Sequence, residues 1–272
     1  MAYRMLGSLS EADDAVQDAW VRTSTTDVEA IENLGAWLTT VVARICLNVL
    51  RTREAHREAP LDDAIPELAD LRSGSDPEEE AVMADAVGLA LLVVLDSLQP
   101  AERLAFVLHD MFDVPFDSIA PILGKSTEAT RQLASRARRR VKGSASPTPD
   151  AVRQRQAVKA YLAAVRSGDF EALVSLLAPD VVLTADAAAT PAHIAVMLRG
   201  SQEVARAAVA SALRAPFARV ALLDGTPGLV VAPRGHLRLV LAFTVDDGRI
   251  ASVDVVADPA RLRGLEVSLA DF

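Results

Sequence analysis

The side chains with the most specific chemical use lie close together near the middle of the chain. From Phe116 to Lys142 the sequence reads FDSIAPILGKSTEATRQLASRARRRVK. Between Lys125 and Lys142 it holds seven Lys/Arg and one Glu, a local net charge of +6 in a chain whose total is −9. Thr130, Leu133, Ala134, Ala137 and Val141 recur at intervals of three and four, which makes one apolar helical face. The opposite face carries Glu128, Arg131, Gln132, Ser135, Arg136, Arg138 and Arg139. Guanidinium groups neutralise phosphates and release their counterions, and Arg and Gln can each make paired hydrogen bonds to guanine and adenine edges. A helix of this polarity fits the major groove, so the stretch reads as a nucleic-acid recognition helix. The plainer alternative is a solvated Arg-rich helix end, because cations favour the negative pole of a helix.

The neighbouring elements are those needed to position such a helix. Two short helices meet at Gly124-Lys125-Ser126, and Ala120 and Gly124 are both small, as a close helix crossing requires. With Asp117 as the N-cap, Pro121 falls just beyond the first turn, where its missing N–H costs little. Asp76-Pro77-Glu78-Glu79-Glu80 predicts a helix start, running to about Leu98, and Pro100 opens another that ends near Phe112. Residues 76–143 therefore form a four-helix unit. It is preceded by an acidic linker at 61–75, within a stretch (Asp62–Glu80) that holds eight carboxylates and one Arg.

Upstream, Ser10 with Asp13 predicts a capping box. Ala12, Ala15, Val16, Ala19 and Trp20 are expected to face inward, and Asp14, Gln17, Asp18 and Arg22 outward. A polar loop from Thr23 to Asn33 leads to a helix over Leu34–Arg53. Its inward stripe runs Leu34, Trp37, Leu38, Val41, Val42, Ile45 and Val49, and its outer face Thr40, Arg44, Asn48 and Arg51. This first region spans 1–60.

Bulk properties narrow the function classes. A 272-residue chain with 51% apolar residues suits about two folded domains. No uninterrupted apolar run approaches the ~20 residues of a membrane span, and no secretory signal opens the sequence, so a cytoplasmic protein without a membrane partner is expected. Cys46 is the one cysteine, and the four histidines lack metal-ligand spacing, so neither a disulfide nor a metal or other cofactor is expected. The charge is carried unevenly. Residues 1–143 hold 15 Lys/Arg and 24 Asp/Glu, a net of −9, whereas 144–272 hold 13 of each. An acidic half with basic islands suits local contact with DNA and a protein partner on other faces.

After a linker at 144–150 the texture changes. Val152–Arg166, Phe170–Leu177 and Ser201–Leu213 are predicted helices. Strands are predicted over Val181–Ala185, Phe217–Leu223, Leu229–Ala232, His236–Val245 and Ile250–Val256, with an Asp247-Gly248 hairpin turn. Helices followed by a curved antiparallel sheet make 151–272 an α+β domain.

Together the blocks EADDAVQDAWVR, NLGAWLTTVVARICLNVLR and PAERLAFVLHDMF, with the helix-turn-helix that follows, resemble extracytoplasmic-function (ECF) sigma factors. The first two resemble region 2 and the rest region 4. The final domain resembles a SnoaL-like domain of cone shape, a fusion found in the SigJ-like group. The implied architecture is multidomain: an all-α region 2 and helix-turn-helix region 4, then an α+β SnoaL-like domain. The resemblance implies core RNA polymerase and promoter DNA as partners. Asp13, Asp14, Gln17, Asp18, Trp20 and Arg22 fall where the family grips polymerase. Trp37, Arg44, Asn48 and Arg51 match the part that melts and holds the −10 element, although Trp37 on its apolar stripe also suits the core. Lys125, Ser126, Thr127, Arg131, Gln132, Ser135, Arg136, Arg138 and Arg139 match the −35 reading segment. Measured against the family pattern, Met1–Gly7 corresponds to the end of the first helix, so region 2 is expected to be short at its N-terminus.

The last domain could also bind a small molecule. Tyr161 and Asp186 fall near where ketosteroid-isomerase-like enzymes place an oxyanion donor and a carboxylate base. The strand that would add a second acid, Leu237 to Phe243, has none. Catalysis is therefore not the expectation, and control of the sigma regions in cis is. Asp247-Gly248-Arg249-Ile250 and Asp258-Pro259-Ala260-Arg261-Leu262 resemble motifs of the SigJ-like group, and are equally a hairpin turn and a helix start. The rival readings are a helix-turn-helix regulator that works without polymerase, and an isomerase or cyclase fused to a DNA-binding region.

Overall fold

A computed structural model describes residues 1–27, 31–57, 88–142 and 149–269. The linker at 61–75 and the helix start at Asp76–Glu80 lie outside these residues. The chain divides into two units, Met1–Ala64 with Leu95–Arg139, and Ile65–Val94 with Arg140–Phe272.

The first unit is helical. Three helices, α1 (Ala2–Leu6), α2 (Leu9–Ser24) and α3 (Leu34–Arg57), pack on one another. Met5 and Leu6 are fully buried. Arg53 of α3 donates to the Leu6 carbonyl at 3.0 Å and pairs with Glu11 of α2, so a basic side chain ties all three helices. The cap of α2 is Ser8, whose hydroxyl accepts from the Glu11 N–H; the expected Ser10–Asp13 box does not form. The reason is that the helix begins at Leu9, two residues earlier than a Ser10 cap implies.

The inward stripe of α2 is narrower than expected. Ala12, Ala15 and Ala19 are buried, but Val16 and Trp20 are exposed, Trp20 to 73%. The methyl-sized contacts allow close helix approach and leave the large side chains outside. In α3 the deepest residues are Ala43, Ile45, Cys46, Leu47 and Leu50, whereas Leu34 is exposed and Trp37 half-buried. By average hydropathy (1.3) Leu34–Ala55 is long and apolar enough to cross a bilayer, which a search for uninterrupted apolar runs passes over.

Helix α4 (Leu89–Asp96) precedes α5 (Pro100–Phe106), which continues as a π-helical turn over Val107–Met111. Helix α6 (Phe116–Leu123) and α7 (Thr127–Lys142) complete the motif. Arg103 of α5 is almost completely buried and bonds Asp96 at 3.2 Å. Helix α3 packs on both α5 and α6, so the helices of the first and second regions share one core.

The α+β domain opens with α8 (Pro149–Ser167), which therefore begins inside the expected 144–150 linker, and α9 (Phe170–Leu176). Its sheet holds β1 (Leu177–Ala185), β2 (Val196–Arg199), β3 (Ala218–Leu223), β4 (Thr226–Val231), β5 (Leu239–Asp246), β6 (Arg249–Val256) and β7 (Val267–Ser268), in the order β2-β1-β6-β5-β4-β3-β7. Helix α10 (Ser201–Ala210) lies between β2 and β3, and α11 (Pro259–Gly264) follows β6. Among the described strands only β1 and β6 run parallel. Asp247 and Gly248, with φ of 49° and 76°, form the expected hairpin turn; Asp224-Gly225 repeats it between β3 and β4. Strands β2 and β7, four and two residues long, were not among those predicted. A core of Val158, Leu162, Leu173, Leu229 and Phe243 fills the space between α8, α9 and the sheet.

Candidate nucleic-acid interface

The helix-turn-helix is built by local backbone chemistry. Gly124 ends α6 with φ of 64°, and both its N–H and that of Lys125 donate to the Ala120 carbonyl. A Cβ on Gly124 would meet nothing within 4 Å. Glycine is thus needed for the left-handed backbone and not, as its pairing with Ala120 implied, for a tight helix crossing; only Ala120 is buried. The N-cap of α6 is Pro115, not Asp117, which leaves Pro121 inside the helix. Ser126 caps α7, accepting from the Ala129 N–H at 3.2 Å, and its carbonyl also accepts from the Thr130 hydroxyl at 2.9 Å.

Helix α7 is divided as expected. Thr130, Ala134, Ala137 and Val141 are buried, whereas Lys125, Ser126, Arg131, Gln132, Ser135, Arg136 and Arg139 are exposed. Thr127 and Arg138 are half-buried. Arg140, which the sequence reading left out, is exposed beside them.

Several of these cations are held by acidic or aromatic neighbours. Arg131, 58% exposed, lies 3.5 Å from Glu128 and 5.9 Å from the Phe116 ring centroid. Arg136 is 55% exposed and points one nitrogen at Glu102 across 3.9 Å, the carboxylate itself being only 6% exposed. Arg138 donates to Asp110 at 2.5 Å. The spacing along α7 could not reveal Glu102 or Asp110, because they come from α5 and its π turn. The surface presents guanidinium groups that are partly exposed yet oriented by neighbours, suited to phosphates and base edges.

In the first region Asp13, Asp14, Gln17, Asp18, Trp20 and Arg22 are all exposed on α2, and Val16 and Val21 stand exposed with them. An indole flanked by carboxylates offers apolar area and negative charge together, which suits a basic protein surface. On α3, Arg44, Asn48 and Arg51 share one exposed face, while Trp37 sits half-buried a turn or two earlier.

The two candidates of the last domain, Asp186 and Tyr161, each have their own set of contacts. Asp186 caps the turn after β1. One carboxylate oxygen accepts from the Ala189 N–H at 3.0 Å, and the other from the Ala257 and Asp258 N–H groups at 3.0 and 2.9 Å. Arg261 approaches it at 3.6 Å and bonds Asp254 at 2.8 Å. A carboxylate so engaged joins the ends of β1 and β6 and is poorly placed as a base. Tyr161 is buried edge-on against Phe243, with ring centroids 5.2 Å apart, and burial pushes its hydroxyl up to about 12. Among the described residues no group of three or more His, Cys, Asp or Glu could hold a metal.

The fold and the charged faces define a DNA-binding protein with two helical regions and an appended α+β domain. Sigma-70 region 2 matches residues 1–56, and Sigma-70 region 4 matches residues 88–141. The chain is 36% identical to the ECF RNA polymerase sigma factor SigJ of Mycobacterium tuberculosis, over 97% of this chain and 89% of that one. It is 32% identical to the probable ECF sigma factor SigI of the same species, over 99% and 92%. A crystal structure of SigJ aligns over 97% of this chain and 93% of its own, with a TM-score of 0.46. The chain belongs to the ECF RNA polymerase sigma factors.

Proposed function

We propose that the protein binds core RNA polymerase, directs it to particular promoters in the cytoplasm, and is restrained or tuned by its own C-terminal domain. The observation that carries this reading is the order of the two sigma regions, each presenting an exposed charged face on the helix where the family places its contacts. In this reading α2 docks on polymerase through Trp20 and the carboxylates Asp13, Asp14 and Asp18, with Gln17 and Arg22 beside them. Arg44, Asn48 and Arg51 hold the separated −10 strand, and Trp37 supplies an aromatic face for an unpaired base. Helix α7 enters the major groove of the −35 element, where Arg131, Gln132 and Arg136 address bases. Lys125, Ser126, Thr127, Ser135, Arg138 and Arg139 fix the register through phosphates.

The α+β domain acts here as a regulator and not as an enzyme. The use of both Asp186 oxygens by backbone N–H groups supports that assignment, as does the enclosure of Tyr161. Its interior could still take a small apolar ligand as an effector. Run-off transcription with purified core polymerase tests the proposal, comparing the full chain with one ending near Gly143. Promoter-specific transcripts that change on truncation support it. DNA binding with no polymerase-dependent product would favour a regulator that acts alone.

A further inference from the structure

The π turn Val107–Met111 plays no part in the function proposed above, yet it faces the recognition helix through adjacent residues. A π turn adds a residue to the helical repeat and so turns the following side chains to a new bearing; such turns often occur at functional sites. Here it places His109 flat on Phe116, with ring centroids 3.7 Å apart and planes 29° apart. The His109 Nδ1 lies 3.0 Å from the Val114 carbonyl, which can only accept, so Nδ1 carries the proton and the ring is anchored from behind. On α7, the Arg131 guanidinium lies 5.9 Å from the Phe116 ring centroid, and Glu128 holds one of its nitrogens at 3.5 Å. The next residue of the turn, Asp110, holds Arg138.

We infer that Phe116, backed by His109, is a positioning residue that aims Arg131 at one base pair of the −35 element. The inference rests on the proposed reading of α7 as the −35 helix. An arginine on an exposed helix face samples many rotamers, and each is lost on binding. The Phe116 ring and the Glu128 carboxylate together restrict the guanidinium before DNA arrives. A cation–π contact at an exposed site contributes about a two- to five-fold bias.

The test uses the full chain with core polymerase. A promoter is selected from a randomised duplex pool, and every single-base change across its −35 element is then assayed in run-off transcription. Phe116→Leu keeps the apolar volume and removes the ring. It is expected to relax discrimination by about two- to five-fold at the same base pair that Arg131→Ala relaxes, to add nothing in the double variant, and to leave the salt dependence of binding unchanged. Phe116→Tyr should retain the preference. His109→Leu, which leaves Phe116 in place, should relax it in the same direction and guards against a folding defect in Phe116→Leu. If Phe116→Leu weakens all promoters equally, leaves the profile untouched, or alters a different base pair, the positioning role is overturned while the role of Arg131 stands. If Arg131→Ala itself leaves base preference unchanged, the reading of α7 and this inference fall together.

Discussion

Arg131 and Arg136 sit five residues apart on one helix and are almost equally exposed, yet their loss should be felt differently. Replacing either by alanine is expected to weaken promoter binding by about 1–3 kcal/mol, measurable by competition with altered −35 duplexes. Arg136→Ala should also lower the melting temperature more than Arg131→Ala does, because it leaves the buried Glu102 carboxylate without that partner. Asp96→Ala should cost more still, about 3–5 kcal/mol in denaturant unfolding, since Arg103 is buried against it. Cys46 and Tyr161 both contribute to the alkaline limit. Burial raises the thiol from 9.0 to about 11 and the phenol from 10.0 to about 12. Both are neutral in the folded state, so their contribution is complete below pH 9 and is lost as the unfolded chain ionises, between roughly pH 9 and 12. Unfolding midpoints followed over that range should fall less steeply in Cys46→Ala and in Tyr161→Phe. The outward set of α7 was legible in the sequence because a period of 3.6 with six cations has few other readings. Glu102 and Asp110 were not, because their meaning depends on which helix lies across from them. Trp20 shows the opposite error: size and apolarity suggested burial, whereas three alanines occupy the seam.

Among the elements, the turn between α6 and α7 has the narrowest chemical tolerance. Gly124→Ala places a Cβ in open space but in a left-handed backbone, so the cost should be about 1–2 kcal/mol of stability and come from strain alone. Gly124→Asn should recover part of it, because asparagine tolerates that conformation; thermal unfolding of the two variants separates strain from crowding. The sequence identified glycine here for an incomplete reason, assigning it to packing where φ was decisive. The helix-turn-helix, the Asp247-Gly248 hairpin and the succession of helices then strands were all readable, each having a strong local signature. The π turn was not, since Val107–Met111 carries the same apolar period as an ordinary helix. The role of Asp186 stayed open in the sequence for a related reason. A carboxylate ending a strand suits a base as well as a cap, and its capping bonds come from Ala257 and Asp258, some seventy residues later.

At the scale of the whole molecule, removing residues after Gly143 should change the yield of promoter-specific transcript from core polymerase by a measurable factor. No change would show that the α+β domain does not act on the sigma regions. The single parallel pair of its sheet has a consequence for the order of events during synthesis. Strand β1 ends at Ala185, and its partner β6 at Val256. The sheet therefore cannot close until the later strand has left the ribosome, whereas the helical unit is complete at Arg139. At ~5–20 residues per second that interval lasts several seconds or more. Every newborn copy thus passes through a brief interval with its helical unit formed and its α+β sheet still unwoven.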